Sequence, residues 1–316
     1  MTDTTFDEFS FRAAQAADAG IEGPLPHAER LTLTLPDGRA LSALRSTPAG
    51  TTDPAPVVTL LHGAGLNAHT WDTTVLALGL PALAIDLAGH GDSSWRDDAA
   101  YTARVLAPDV VAAIQEWTDT PQLLVGQSLG GLTAAAVAAS RPDLVAELVV
   151  IDITPGVDPD AGPTQIREFF AGPTDWASRD ELVDRALAFG LGGTRAAAER
   201  GVYLNSRVRS DGRVEWKHHF AHLAAAMADA PSDQVPAAPD AVTAVLGESG
   251  WEDLAGVTAP ITLIRGDRGY VTAADAEEFA RRVPAASVEV MASGHNVQEE
   301  QPVALGRRLR AQVPSA

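Results

Sequence analysis

A serine between two glycines stands in the stretch "GQSLG" at residues 126–130. The apolar residues 123–125 before it predict a strand, and the Ala-rich residues 129–140 after it predict a helix. The pattern G-x-S-x-G is typical of a tight strand-to-helix turn, whose neighbours two positions away on each side must be small. Such a turn holds a hydroxyl clear of the backbone, where it can attack a carbonyl carbon. We therefore expect Ser128 to be a nucleophile.

A serine hydroxyl needs a general base within hydrogen-bond reach. Of the eight histidines, His295 follows the last apolar run of the chain and precedes a predicted helix. The chain order Ser, Asp, His places a base at this point. His62 and His90 precede the serine in glycine-rich turns, where we expect them to fix loops or to line the mouth of a pocket. His295 is therefore the expected base.

Three further histidines lie close together in the stretch "WKHHFAHL". His218, His219 and His222 have the i,i+3 and i,i+4 spacing that can suit a metal ion. A metal ion needs a full ligand set, and we expect none to be completed nearby. We expect no metal site in this stretch and no cofactor elsewhere in the chain.

The elements that must position these residues alternate along the chain. Residues 29–46 predict a hairpin around Asp37-Gly38, because apolar and polar residues alternate on both sides of that turn. Further strands are predicted at 56–63, 81–93, 121–128, 146–156, 259–267 and 286–295, and helices at 67–78, 102–118, 129–140, 273–283 and 299–312. This alternation predicts an α/β fold with a mostly parallel eight-stranded sheet flanked by helices.

One long segment breaks the alternation. Residues 157–255 contain several apparent helices and many prolines, over a length too great for a loop in a compact domain. We predict an inserted helical cap there, between the two core segments 29–156 and 256–316. Residues 1–28 are assigned to an N-terminal extension whose phenylalanines are candidates for packing on the core.

Composition excludes several classes of protein. The chain has no cysteine, which removes disulfides, thiolate nucleophiles and zinc–sulfur sites. Its net charge of −19 would repel nucleic acids and anionic lipids. No uninterrupted apolar run approaches the length of a membrane span, and the acidic start lacks the pattern of a signal peptide. We expect a cytoplasmic protein with a small-molecule partner, no nucleic acid and no membrane; the oligomeric state is left open.

The base needs an acid that orients its ring and stabilises its charged form. Two carboxylates are candidates, because each follows an apolar run between the serine and the histidine. Asp152 lies in "VVIDITP" and Asp267 in "IRGDRGYVT". Either can serve if it reaches the far nitrogen of the imidazole.

These segments, with "HGAGLNAHTW", "DLAGHGDS" and "SGHNVQEEQP", resemble the α/β-hydrolase superfamily. The acid position of that family's usual loop after the penultimate strand falls on Gly269 here, and glycine has no carboxylate. The chain is similar to a compact esterase subgroup that keeps an Asp in an "IDI-P" turn after the sixth strand and a Tyr-Val pair, here Tyr270-Val271. The resemblance implies Asp152 as the acid, with Asp267 as the rival.

Acyl transfer builds negative charge on a carbonyl oxygen, which two backbone N–H groups usually receive. Leu129 is expected to supply one, because it follows the nucleophile at the N-terminus of a helix. The resemblance of "HGAGLNAHTW" to the family's His-Gly-x loop implies Ala64 as the second donor, with Gly65 as the alternative.

The predicted function is that of a serine hydrolase, similar to carboxylesterases, which forms an acyl-enzyme on Ser128. Its substrate is expected to be a small or medium ester, thioester or lactone. Aromatic residues of the cap favour an apolar substrate group, unless they hold the cap together: Phe169, Phe170, Trp176, Phe189, Tyr203 and Trp216. The alternatives are a C–C bond hydrolase, a lyase or a cofactor-free haloperoxidase with the same triad, or a non-catalytic hydrolase-like binder.

Overall fold

The computed structural model describes residues 7–157, 173–189, 194–228 and 249–313. The strands in these ranges are β1 (His27–Thr34), β2 (Ala40–Thr47), β3 (Val58–Leu61), β4 (Ala82–Asp86), β5 (Gln122–Gln127), β6 (Val145–Ile151), β7 (Asp175–Trp176), β8 (Ser206–Val208), β9 (Val214–Trp216), β10 (Ile261–Gly266) and β11 (Ser287–Met291). The α-helices are α1 (Arg12–Asp18), α2 (Asp72–Leu78), α3 (Ala103–Trp117), α4 (Leu129–Ser140), α5 (Arg179–Ala188), α6 (Arg195–Asn205), α7 (Phe220–Ala228), α8 (Ser249–Gly256), α9 (Ala273–Arg282), α10 (Val297–Glu300) and α11 (Pro302–Arg310). In these ranges, no helix is long and apolar enough to cross a membrane.

Eight strands form one sheet in the order β1-β2-β4-β3-β5-β6-β10-β11. The pairs β1–β2 and β2–β4 are antiparallel, and all other neighbours in this sheet are parallel. The predicted hairpin joins β1 to β2, with Thr34 opposite Ala40 and Gly38 at a φ of 87° in the turn. The prediction of a mostly parallel eight-stranded α/β sheet is confirmed.

Both faces of the sheet are covered, which explains why its central strands are continuous apolar runs. Successive side chains of a strand point to opposite faces. On β5, Leu124 packs into a cluster with residues of α3 and α4, whereas Leu123 and Val125 pack into a second cluster with residues of α2 and α11. The parallel strands are thereby held rigid between two layers of helices.

Four adjacent parallel strands end at the same edge of the sheet. They are β5, β6, β10 and β11, and the segments that leave their carboxyl ends carry Ser128, Asp152, residues 267–270 and His295, respectively. Ligand sites of open α/β sheets lie at this edge. The strand order therefore gathers side chains from four distant parts of the sequence.

The segment between β6 and β10 lies outside the large sheet. Its described residues form helices α5 to α8 and a three-stranded sheet in the order β7-β9-β8. We predicted helices here and missed this small sheet, because strands of two or three residues are too short to show alternation. The boundaries 157–255 of a separate cap stay a prediction, and residues 158–172, 190–193 and 229–248 lie outside the described residues.

The described part of the N-terminal extension is anchored to the core by charge and packing. Glu8 pairs with Arg30 of β1 and lies 3.0 Å from His69 Nε2, while His69 Nδ1 lies 2.9 Å from Asp72. The ring of Phe9 tilts against the His69 ring. Burial opposes the ionised form of Glu8, but hydrogen bonds from His69 and Arg30 outweigh it and lower the pKa of Glu8 to about 2.

The contact with Glu8 shifts the pKa of His69 in the opposite direction, upward. Burial disfavours its charged form, but Asp72 and Glu8 outweigh it and raise the pKa of His69 to about 9, from a usual 6.5. A raised histidine pKa gives stability that is complete below the unfolded pKa and is lost as pH rises through the folded pKa. A lowered carboxyl pKa gives stability that is lost as pH falls toward the folded pKa.

We call the contacts of Glu8 with Arg30 and His69 the anchor. We expect the anchor to stabilise the fold most between about pH 4.5 and 6.5. The measurement is the difference in free energy of unfolding between the wild type and Glu8→Gln, followed by denaturant titration from pH 4 to pH 10. The difference should shrink as pH rises from 6.5 through 9, when His69 loses its proton. The exposed Glu116 provides the control variant Glu116→Gln, and a Glu8 difference that stays constant across this range would refute the anchor.

Candidate active site

The turn at Ser128 joins β5 to α4. Ser128 has φ 52° and ψ −122°, and such a positive φ costs a non-glycine residue about 1–3 kcal/mol, which the surrounding packing must supply. Both glycines of the motif are required by close backbone approach. A Cβ on Gly126 would lie 2.1 Å from the Gly130 carbonyl oxygen, and a Cβ on Gly130 would lie 2.4 Å from the Leu61 carbonyl oxygen. The first turn of α4 therefore lies directly on β5 and β3.

Asp152 follows β6 and is fully buried, also with a positive φ of 48°. Its carboxylate accepts three hydrogen bonds. Gly266 N–H donates to Oδ1 at 2.9 Å, and Tyr270 N–H and His295 Nδ1 lie 2.7 and 2.8 Å from Oδ2. Burying a carboxylate is costly unless it is hydrogen-bonded in this way. The carboxylate is therefore fixed in position beside the imidazole.

Gly269 explains how the carboxylate of Asp152 comes to lie there. A Cβ at Gly269 would lie 2.2 and 2.3 Å from the two carboxylate oxygens of Asp152. The space that a side chain at position 269 would need is thus filled by the carboxylate of Asp152, which follows β6.

The rival Asp267 accepts a hydrogen bond from Ser293 N–H at 2.9 Å, pairs with Arg268 and is 44% exposed. The structure brings His295 together with Asp152 and not with Asp267.

The loop that carries His295 is held on two sides. The Tyr270 ring stacks on the imidazole with centroids 3.7 Å apart and an angle of 11° between the planes. Gln127 Nε2 donates to the His295 carbonyl oxygen at 3.3 Å and to Asn296 Oδ1 at 3.4 Å. The residue before Ser128 is therefore bonded to the loop that carries the imidazole.

The expected contact between serine and histidine is not formed in this conformation. Within the described ranges, Ser128 Oγ makes no hydrogen bond, either to the His295 ring or to another group. Bonds of this kind are often long in unliganded enzymes and tighten when substrate binds. The strained turn and the Asp152–His295 pair are in place without it.

The loop after β3 runs beside Ser128. A Cβ on Gly63 would lie 3.2 Å from the Ser128 Cβ. His62 holds this loop from below: its Nε2 accepts the Leu87 N–H at 3.0 Å, so its Nδ1 donates to the Gly63 carbonyl oxygen at 2.8 Å. Burial lowers the pKa of His62, which keeps this neutral form. Because the C=O and N–H of a trans peptide point in opposite directions, fixing the Gly63 carbonyl also fixes the direction of the Ala64 N–H.

The other predicted donor, Leu129, is the first residue of α4. The N–H groups in the first turn of a helix have no acceptor within the helix, and the helix dipole makes them favourable to negative charge. Ala64 lies at the exposed surface of its loop. The two N–H groups predicted to receive the oxyanion thus belong to Leu129, which follows Ser128, and to Ala64, in the loop that lies beside Ser128.

Several residues at the site carry no signal in the sequence. Gln127 occupies a position at which the motif accepts any residue, although its side chain is fully buried and joins the end of β5 to the loop that carries His295. Asn205 of α6 reaches the loop after β3, donating to the Gly65 carbonyl oxygen at 2.7 Å. An isolated asparagine is common in loops, so only a buried polar residue at a strand end, as at Gln127, could have drawn attention.

The histidines of the inserted segment serve as packing and hydrogen-bonding groups. His219 stacks on Trp95 with centroids 4.5 Å apart and lies 2.8 Å from the Tyr101 hydroxyl, and the buried His218 stacks on Trp216. In the part of the chain that is described, no three His, Asp or Glu side chains are grouped so that they could hold a metal ion.

Of the six aromatic residues predicted to favour an apolar substrate, four lie in the described residues. Phe189 packs against the apolar cluster of the inserted segment, and the Arg179 guanidinium lies 4.8 Å from the centre of the Tyr203 ring. Trp176 and Trp216 pack against each other with centroids 5.8 Å apart in the core of the inserted segment, as expected of residues that hold it together. Phe169 and Phe170 lie outside the described residues.

Comparison with known families agrees with this geometry. Residues 60–308, most of the chain, match the model of the alpha/beta hydrolase family. The chain belongs to the alpha/beta hydrolase family. This membership confirms the resemblance inferred from the sequence motifs.

Named relatives extend the comparison. The chain is similar to the esterase Rv0045c of Mycobacterium tuberculosis, with 37% identity over 311 residues, covering 96% of this chain and 94% of the relative. A crystal structure of that esterase has a TM-score of 0.77, with 36% identity, covering 97% of this chain and 98% of the other. The sn-1-specific diacylglycerol lipase ABHD11 of Mus musculus is 27% identical over 261 residues, 78% of this chain and 77% of the relative.

Proposed function

We propose that this alpha/beta hydrolase is a serine esterase that forms an acyl-enzyme on Ser128. One relative that matches nearly the whole chain is named an esterase, and another is named a lipase, so ester cleavage is the activity they share. This protein is an ester-cleaving hydrolase on that basis. The observation that carries the triad proposal is the hydrogen bond between the buried Asp152 and the partly buried His295, at the edge where the strained Ser128 turn ends β5.

The reaction follows from the positions of these groups. Ser128 Oγ attacks the ester carbonyl carbon while His295 Nε2 accepts its proton, and Asp152 stabilises the resulting imidazolium through Nδ1–H. The Ala64 and Leu129 N–H groups receive the negative oxygen, each contributing about 3 kcal/mol of transition-state stabilisation. The intermediate collapses to the acyl-enzyme and expels the alcohol, which takes the proton from His295. Water then releases the acid by the same steps, regenerating Ser128.

The substrate belongs to the same proposal. It is a small or medium ester, thioester or lactone with an apolar group, in a protein that works in the cytoplasm. Its alcohol or acyl preference depends on the inserted segment, which contacts the loop after β3 through Asn205. No cofactor has a role in the proposed steps.

Covalent labelling tests the proposal directly. The wild-type protein is incubated with a fluorophosphonate, and the adduct is located by intact mass and peptide mapping, beside turnover of a p-nitrophenyl acyl series. We expect one adduct on Ser128, none on Ser128→Ala, and turnover of short or medium acyl chains. Labelling without turnover of any ester would favour a C–C hydrolase, lyase or haloperoxidase, whereas neither labelling nor turnover would favour a binder.

A further inference from the structure

Two asparagines join the inserted segment to the loop after β3. Asn205 Nδ2 donates to the Gly65 carbonyl oxygen at 2.7 Å. Asn67 Nδ2 donates in the opposite direction, to the Leu204 carbonyl oxygen at 2.9 Å and to Asn205 Oδ1 at 3.2 Å. Asn67 Oδ1 also accepts the His69 N–H at 2.9 Å. Both ends of each side-chain amide are therefore used, which fixes the orientation of both groups.

The bond from Asn205 acts on the turn that contains Ala64. Leu66 N–H closes this turn on the Gly63 carbonyl oxygen at 3.2 Å, and Gly65 has a φ of 77° at its third position. A positive φ at the third position alone is the geometry of a type II turn, which favours glycine there. The Gly65 carbonyl and the Leu66 N–H belong to one peptide, so the bond from Asn205 holds the Leu66 N–H in the direction of the Gly63 carbonyl. The Gly63 carbonyl in turn shares its peptide with the Ala64 N–H.

The two peptides that flank the central Ala64–Gly65 peptide of the turn are thus anchored from opposite directions. The core holds the Gly63 carbonyl through His62, and the inserted segment holds the Gly65 carbonyl through Asn205. We propose that Asn205 is a positioning residue for the oxyanion loop, so that seating of the inserted segment on the core sets the direction of the Ala64 N–H. This inference rests on the proposed esterase function, in which that N–H receives the oxyanion.

The test uses two substitutions at Asn205 and one control. Asn205→Ala removes the whole amide, whereas Asn205→Asp keeps the acceptor for Asn67 and replaces the donor to Gly65 by a carboxylate oxygen that repels the carbonyl. Lys217→Met is the matched control, because Lys217 joins the inserted segment to Asp92 at 3.0 Å, away from the oxyanion loop. The readouts are kcat and KM on a p-nitrophenyl ester, and amide hydrogen exchange of the peptide covering residues 60–70.

We expect both Asn205 variants to lose about tenfold in kcat, with KM within twofold, because small displacements of a catalytic group are costly. Their 60–70 peptide should exchange faster than that of the wild type. Lys217→Met should keep kcat within twofold and leave exchange of this peptide unchanged. If Asn205 only held the inserted segment in place, the Asn205 variants and Lys217→Met would have equal effects on kcat and on exchange of the 60–70 peptide.

Three results would overturn the inference: unchanged exchange in folded Asn205 variants, an effect on KM alone, or an equal loss of kcat in Lys217→Met. Failure of the proposed function looks different. A wild type that turns over no ester, with exchange still raised by the Asn205 substitutions, would refute the esterase while leaving the anchored turn intact.

Discussion

Asp152→Asn is expected to lower kcat by about 10³–10⁴, because an imidazole held in the wrong tautomer loses about that much activity. Asp152 accepts hydrogen bonds on both oxygens, from Gly266 on one side and from Tyr270 and His295 on the other. Asparagine has only one oxygen. If that oxygen faces Gly266, the amide NH₂ faces Tyr270 N–H and His295 and forces Nδ1 to accept, which places the ring hydrogen on Nε2, where the base must act. If the oxygen faces His295, the NH₂ meets the Gly266 N–H and the imidazolium loses the negative charge that stabilises it.

The matched control for this prediction is Asp267→Asn. Asp267 bonds Ser293 N–H and is 44% exposed, and an asparagine oxygen can keep that bond. We expect kcat within about threefold of the wild type, since loss of a half-exposed charge has small effects. Both variants are measured on the same p-nitrophenyl esters, with fluorophosphonate labelling to count competent Ser128 sites. Near-normal turnover by Asp152→Asn together with collapse of Asp267→Asn would reverse the assignment of the acid.

Gly269→Ala is expected to lower kcat by about 10², the loss that a displacement of about 1 Å can cause. The new Cβ would overlap both carboxylate oxygens of Asp152 at 2.2 and 2.3 Å. The carboxylate cannot stay in place, and its hydrogen bonds to Tyr270 and His295 must lengthen. The Gly269 φ lies outside the left-handed region, so the effect comes from this overlap rather than from backbone strain.

Gly201→Ala is the control for adding a methyl group to a glycine. Gly201 lies in α6 with no atom within 4 Å of the added Cβ, so this substitution should leave kcat within twofold and stabilise the helix by up to about 1 kcal/mol. Thermal unfolding separates the two possible causes of lost activity. A Gly269→Ala protein with full kcat would mean that Asp152 can move without cost, and would remove the reason for assigning it as the acid.

Local rules were enough to predict the strands of the large sheet, the helices that cover it and the serine turn. A continuous apolar run that ends in glycine indicates a strand covered on both faces, and this pattern involves only residues that are close in the sequence. Helix α4 begins and ends as the pattern of residues 129–140 predicts. The turn at Ser128 depends on residues within two positions of it, because Gly126 and Gly130 must make room for backbone atoms that lie close in sequence or on the next strand. The motif therefore carries its own physical requirement.

The choice of acid needed the tertiary structure. Asp152 and Asp267 follow β6 and β10, which are adjacent parallel strands, so both carboxylates lie at the same edge. The residue pattern left both open, and only the family resemblance favoured Asp152. Which one meets His295 depends on the direction of each side chain, and on the space left by Gly269. No local pattern contains that information, because Asp152, Gly269 and His295 follow three different strands.

The sequence by itself determined the order of strands and helices, the serine turn and the histidine that follows the last strand. Only the folded chain decided that Asp152 faces the imidazole, that Gln127 bonds the loop that carries His295 and that Asn205 reaches Gly65. The physical reason is the range of the interactions. Periodicity and turn chemistry act between near neighbours along the chain, whereas these hydrogen bonds join groups that become neighbours only after the sheet has aligned its strands.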